Sequence, residues 1–191
     1  SQEAWREFLS KNSFANPFQS PEGLEYLRKL DTMEVDVHAV SNENDEVLAL
    51  VVVTIQKEDG IKKHFSSRGI IYAGPLLGDY KSSALLFSHL KSYYRKTAIY
   101  LETRNFFDYS EYKELFVQHG WSYVPWLNFH LTTDEEAQMR KRMSSSRLRQ
   151  VKKGIKNGAT WREPKSVNEV KDFYEILRNL YENKIKKPLP K

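Results

Sequence analysis

The sequence predicts an α/β (α+β) chain: a mixed, mostly antiparallel sheet flanked by helices, followed by a strand and a helix that either fold back on it or open a second domain. Three observations predict it. Stretches with apolar residues at helical spacing alternate with stretches of β-branched residues at strand spacing. The chain has 191 residues, 40% of them apolar and 13% aromatic, which suits one ordinary domain plus part of another and is no disordered composition. A last strand-like and helix-like pair follows a basic connection, and its apolar stripe is as wide as that of a core helix.

The elements follow in order. Trp5, Phe8 and Leu9 form a helical stripe, which FANPFQSP ends. Ser20 before Pro21 is an N-cap followed by a first-turn proline and opens a helix running to Leu30. Residues 34–40 alternate as a strand with Val35, Val37 and Ala39 on one face, and 42–45 form a turn. Residues 47–55 are a continuous β-branched run, the signature of a central strand buried on both faces. Glu58, Asp59 and Gly60 predict a hairpin turn, and 64–73 a third strand. After AGPLLGDY, residues 80–95 carry a helical stripe at Leu85, Leu86, His89, Leu90 and Tyr93. A short strand at 98–101, a helix at 109–119 closed by Gly120, and a long strand at 121–131 complete the first unit. Beyond an acidic connection come a basic helix, a strand at 159–162 and a helix opened by a Ser166–Glu169 capping box. Its stripe is Val170, Phe173, Tyr174, Leu177, Leu180 and Tyr181. The expected division is 1–139 as the first domain, 140–158 as a basic connecting helix and 159–191 as the start of a second domain, within which the chain stops.

Composition bounds the chemistry. Without cysteine there is no disulfide and no thiolate nucleophile, which fits a reducing cytoplasm. No apolar run reaches the ~20 residues a membrane-spanning helix needs. The five histidines lack metal-ligand spacing, and no serine sits in a G-x-S-x-G turn, so no metal, cofactor or hydrolase nucleophile is expected. His89, on an apolar stripe, reads as a core histidine. The charge is uneven: residues 1–139 carry 14 basic and 20 acidic side chains, and 140–191 carry 16 and 5. A basic C-terminal quarter on an acidic body points to an anionic partner such as a phosphate, a nucleic acid or an anionic membrane surface.

Several residues are candidates for that partner or a substrate. In SSSRLRQVKKGIKNG, Leu148, Val151 and Ile155 give a thin apolar stripe, with Arg147, Arg149, Lys152, Lys153 and Lys156 around it. This helix reads either as a solvated connector or as an anion-binding face, and the scarcity of aromatic residues argues against stacking of single-stranded bases. Lys184, Lys186 and Lys187 complement a helix dipole or contact a phosphate. Glu102, Arg104, Asn105 and Asp108 cluster at a strand end, as a surface ion pair or as part of a site. Trp121, Tyr123, Trp126 and Phe129 line a groove or fill a core.

The order of elements resembles the acetyltransferase-like (GNAT) fold. That fold holds an acyl-CoA pyrophosphate on a glycine-rich loop opening a helix. The matching stretch here is Ala73-Gly74-Pro75-Leu76-Leu77-Gly78, where Pro75 removes an N–H donor and the G-x-G spacing is missing. PFQSPEGLEYLRK, RGIIYAGPLL, IYLETRN, HGWSYVPWLNFHL, SRLRQVKKGIKNGA and FYEILRNLYENKIKKPLP, in this order, resemble the Fem family of bacterial aminoacyltransferases, which build peptidoglycan interpeptide bridges with two GNAT-like domains in tandem. The resemblance implies a cytoplasmic cell-wall transferase, with or without peripheral membrane association. Its donor would be aminoacyl-tRNA and its acceptor an amine on a UDP- or lipid-linked peptidoglycan precursor. It also implies two basic contacts to the precursor's pyrophosphate. One maps to Lys187 before Pro188; the other maps to Leu27, with Arg28 beside it. The family's remaining catalytic elements lie in the second domain, so residues 1–191 alone are expected to be inactive and the catalytic residues stay unassigned. Two alternatives remain: an N-acyltransferase for a sugar or small amine with a thioester donor, and a noncatalytic nucleic-acid-binding module.

Overall fold

The continuous apolar run of the sequence becomes the strand on which the rest packs. A computed structural model describes residues 1–30, 33–56 and 66–186. Its elements are α1 (Gln2–Lys11), a 3₁₀ turn (Pro17–Gln19), α2 (Pro21–Arg28), β1 (Met33–Ser41), β2 (Val47–Gln56), β3 (Arg68–Ala73), α3 (Tyr80–Tyr94), β4 (Leu101–Asn105), a second 3₁₀ turn (Ser110–Tyr112), α4 (Lys113–Gln118), α5 (Glu136–Arg142), α6 (Ser145–Lys156) and α7 (Val167–Leu180). The fold is mixed α/β with one four-stranded sheet in the order β1-β2-β3-β4. β1–β2 and β2–β3 pair antiparallel; β3–β4 pair parallel across α3. The hairpin turn expected at 58–60 lies outside the described residues, as does the beginning of the expected third strand.

Alternation assigns the two faces of the sheet. Asp36 and His38 of β1 lie beneath α3, together with Val51 and Val53, their partners on β2. The other face carries α1 against β2, α2 against β1, and Phe18 of the first 3₁₀ turn against Tyr72. β2 is therefore covered on both sides, with Ala49, Val51, Val52 and Val53 almost inaccessible. On α3 the buried residues are Leu86, Phe87, Leu90 and Tyr94, while Leu85 is 53% exposed. The buried stripe is thus rotated from the one expected, because Phe87 takes the central position against Phe116 and Trp121. His89 is on the exposed side and is not a core histidine.

Caps mark the helix starts, at Ser20 and Ser166 as the sequence predicts and at three further starts besides. Ser1, Ser20, Asp79, Ser144 and Ser166 each accept a backbone N–H of the first turn. In the expected Ser166–Glu169 box, the returning carboxylate reaches Lys165 N at 2.6 Å and the Arg162 guanidinium instead of the cap's own amide. Three strand expectations are corrected. β4 begins at Leu101, the residue at which the expected strand 98–101 ends. Residues 121–131 and 159–162 form no strand. A strand is a ladder, and hydrophobicity without a neighbouring strand to pair with does not make one. Trp126, Leu127, Phe129 and Leu131 are each more than 80% exposed, as is Trp161. One link to the sheet comes from Asn128, whose amide donates to Asn105 O at 2.9 Å.

The chain divides into two compact units, Ser1–Asn128 and Phe129–Lys191. The first holds the sheet and the core. In the second, no described residue is buried, and the stripe of α7 is open, with Phe173 63% and Tyr174 51% exposed. Among the described residues no helix is long and apolar enough to cross a membrane.

Candidate functional site

The sheet opens where β2 and β3 part, and a buried glutamine fills the opening. β2 pairs with β3 only from Thr54 to Gln56. Further along, Val52 N donates to the Gln19 side-chain oxygen at 2.7 Å, and Gln19 Nε2 donates to Tyr72 O at 3.0 Å and Val52 O at 3.4 Å. Beyond that, Leu76 closes a bridge to Leu50 with two bonds of 2.9 Å. Gln19 is fully buried, and Trp5 Nε1 donates to its carbonyl at 2.9 Å. Sequence reasoning missed this residue, since nothing about a glutamine between two prolines signals a long-range partner.

Past the opening, the face opposite α3 is left to side chains. Among the described residues no helix on that face packs against β4. Tyr72 of β3 is paired with Arg104 of β4, whose guanidinium lies 5.7 Å from the Tyr72 ring centre. Glu102 holds the Arg104 Nε at 2.7 Å, and this carboxylate raises the guanidinium's already high pKa. Gln56 Nε2 donates to the Tyr72 hydroxyl at 3.0 Å, and Arg68 donates to Gln56 Oε1 at 3.1 Å. Phe18 and Phe106 pack edge to face at 6.1 Å beside Tyr72. The result is a ledge of aromatic rings and polar groups with an arginine at each end. The arginines are separated by four residues of strand, about 13 Å along the backbone, a spacing that suits an extended polar ligand.

The expected site residues fall in different places. Arg104 stands on this ledge. Arg28 is exposed in the last turn of α2, which packs on β1, the edge strand at the opposite side of the sheet from β4. Leu27 is buried in the core at 3% exposure, so the positive charge at this point belongs to Arg28. Asp108 is exposed, and its carboxylate accepts from Ser110 N at 2.9 Å in a local turn. Lys187 lies outside the described residues. Arg147, Arg149, Lys152, Lys153 and Lys156 are in α6, in the second unit, and among the described residues none of them has a carboxylate partner. Four of them, Arg149, Lys152, Lys153 and Lys156, share an arc of ~100° on the side away from Leu148, Val151 and Ile155; Arg147 does not. In contrast, Arg140, Arg142, Arg162 and Arg178 are all neutralised by acids. No group of three or more His, Cys, Asp or Glu side chains suited to a metal occurs among the described residues.

No protein-family model matches the sequence, and no curated protein matches it. Among solved structures the chain is similar to FemX, with 16% identity and a TM-score of 0.49 over 63% of this chain and 30% of that one. It therefore spans under a third of the FemX chain. It is similar to a ribosomal-protein-alanine N-acetyltransferase from Brucella melitensis biovar Abortus 2308, with 10% identity and a TM-score of 0.45 over 69% and 92% of the two chains. A third likeness is to an aminoglycoside 6'-N-acetyltransferase from Acinetobacter haemolyticus, with 9% identity and a TM-score of 0.46 over 70% and 92%.

The resemblance seen in the sequence would put an acyl-CoA pyrophosphate at the start of α3, and the residues there do not fit one. Gly74, at φ +94°, has the ring of Tyr109 against it, where a Cβ would collide. Tyr109 Oη donates to Pro75 O and Tyr112 Oη to Gly78 O, both at 2.8 Å. Phe14 stacks on Tyr109 at 4.2 Å, and burial pushes the Tyr109 phenol far up and out of its titration range. The helix start itself is taken by Asp79, which binds Ser82 Oγ and Ser82 N; the hydroxyl and the amide hold this carboxyl below its usual range. An ionised carboxylate on the first turn repels a phosphate, and the Ser82 amide is already engaged by it.

Proposed function

We propose that this chain is the first acyltransferase-like unit of a Fem-like aminoacyltransferase, which moves an amino acid from aminoacyl-tRNA to an amine of a UDP- or lipid-linked peptidoglycan precursor. The observation that carries this reading is the loop from Gly74 to Asp79: it keeps the position of a pyrophosphate cradle and is filled by tyrosines and an acid. Such a sheet suits a donor that is not held as a nucleotide thioester in this unit. The ledge of Tyr72, Glu102 and Arg104 suits an extended, polar acceptor such as a precursor peptide, and the cations of α6, without carboxylate partners among the described residues, suit the phosphates of a tRNA. In the reaction the acceptor amine attacks the ester carbonyl, an amide bond forms, and the tRNA hydroxyl leaves with a proton. That chemistry needs a deprotonated amine and a stabilised oxyanion. No described residue is assigned either role.

The test uses the protein that carries this chain. It is incubated with a murein precursor and, in parallel, charged tRNA or labelled acetyl-CoA, and the precursor is followed by mass spectrometry. A mass gain of one amino acid, dependent on charged tRNA, is expected. Acetyl transfer from the thioester would replace this reading with an N-acyltransferase of the ordinary kind. Binding of tRNA with no transfer to any precursor would leave a nucleic-acid-binding module.

A further inference from the structure

Asp36 and His38 on β1, with His89 and Tyr94 on α3, form one hydrogen-bonded chain. The Tyr94 hydroxyl lies 2.8 Å from Asp36 Oδ2, His38 Nε2 lies 2.8 Å from that hydroxyl, and His89 Nε2 lies 3.1 Å from His38 Nδ1. Asp36 and His38 reach the same helix because residues two apart on a strand share a face. The direction of every bond follows from the groups. A carboxylate only accepts, so Tyr94 donates its one hydrogen to Asp36. The Tyr94 oxygen then accepts from His38, which places the His38 hydrogen on Nε2 and a lone pair on Nδ1. That lone pair accepts from His89 Nε2. With both imidazoles neutral, each link is satisfied.

Protons change this chain in two steps. His89 is exposed and its Nε2 is the ring nitrogen engaged with His38, so one proton can sit on its Nδ1 while Nε2 goes on donating. A second proton has only His38 Nδ1 to bind. It sets one N–H against another and two cations against each other across 3.1 Å. We propose that these four side chains are a pH-sensitive clasp between the second half of α3 and the edge strand β1, closed with at most one proton on the histidine pair and opened by the second.

The surroundings support two unequal histidines. The groups facing His38 are Asp36 on its own strand and His89, Tyr93 and Tyr94 on α3; β2 offers Val51, which does not titrate. Burial first, then the neighbouring His89, lowers the His38 pKa, and Asp36 opposes them more weakly. The folded chain thus binds fewer protons at His38 than the unfolded chain does. The stability this contributes is present above the ordinary histidine pKa and is lost as pH falls through the lowered one. The helix so held is the crossover from β3, and the next strand, β4, carries Glu102 and Arg104.

The experiment follows the imidazole nitrogens by NMR across pH, together with amide exchange in the last turns of α3, in the wild type, His89→Gln and Tyr94→Phe. Because His89 is exposed, His89→Gln keeps the fold. In the wild type, His38 should carry its hydrogen on Nε2 and titrate below the ordinary histidine pKa, and in His89→Gln its titration should move up. Between about pH 7.5 and about pH 5, wild-type α3 protection, corrected for intrinsic exchange, should fall roughly tenfold for each unit by which His38 is depressed. His89→Gln should lose less. Tyr94→Phe should abolish the preference for the Nε2 hydrogen on His38. A His38 that titrates at or above the ordinary histidine pKa, or equal losses of protection in wild type and His89→Gln, would overturn the clasp.

Discussion

Replacing Gln19 by leucine leaves the Val52 N–H, the Val52 carbonyl and the Tyr72 carbonyl without the amide that joins them. Leucine has similar bulk and cannot bond, so the loss is a cost of unpaired buried groups, not of a cavity. Each such group costs about 1–3 kcal/mol, and relaxation absorbs part, so Gln19→Leu is expected to lower stability by about 3 kcal/mol in urea unfolding. Glutamate in place of Gln19 should be worse, because it would bury a charge. Arg104 is the corresponding residue for function under the proposed reaction. Charge-assisted bonds are worth about 1.5–3 kcal/mol, so Arg104→Ala is expected to raise the acceptor's KM by roughly tenfold or more with kcat little changed. Arg104→Lys should not restore it, since an ammonium offers neither the planar stack on Tyr72 nor a forked donor. A fall in kcat at unchanged KM would place Arg104 in the chemical step instead.

Among the elements, those whose signals are local were legible in the sequence. The caps of α2 and α7, the buried run of β2 and the turn at Asn42–Asp45 need only near neighbours, and the last is closed by Asn42 Oδ1 accepting from Asn44 N and Glu46 N. Residues 121–131 and 159–162 have strand composition, but pairing is decided by a distant partner, and composition does not report one. The same limit hid the candidate site. Arg104 was legible as a charged residue at a strand end, but its place over Tyr72, the Gln19 plug and the meeting of His38 with His89 depend on register between segments far apart in the chain. α6 shows what periodicity can supply: once the helix is given, its basic arc follows from 3.6 residues per turn. Neutralising Arg149, Lys152, Lys153 and Lys156 one at a time to Gln should weaken tRNA binding at each step and reduce the salt slope by about 0.7–0.9 for every phosphate left without its cation. Arg147→Gln, off the arc, should change the slope least. Equal effects from all five would mean a diffuse field and not a face.

For the whole chain, the two units differ in what holds them. Ser1–Asn128 has a closed core, with Phe87, Leu90, Ile71 and Leu115 inaccessible to solvent. The described part of Phe129–Lys191 has capped helices and ion pairs but no buried residue. Helices of 12 and 14 residues are marginal when nothing covers their apolar stripe. Cooperative unfolding of this 191-residue chain should therefore report the first unit alone. Phe87→Ala is expected to cost about 3–5 kcal/mol, as large-to-small changes in a tight core do. Phe173→Ala, a change of the same size on α7, should move the urea midpoint by less than about 0.5 kcal/mol in equivalent stability, the ordinary range for an exposed site. Chemistry is held constant between these two substitutions, so the comparison isolates burial. A large effect of Phe173→Ala would mean that the α7 stripe is covered in solution, and the energetic boundary between the units would then have to be redrawn.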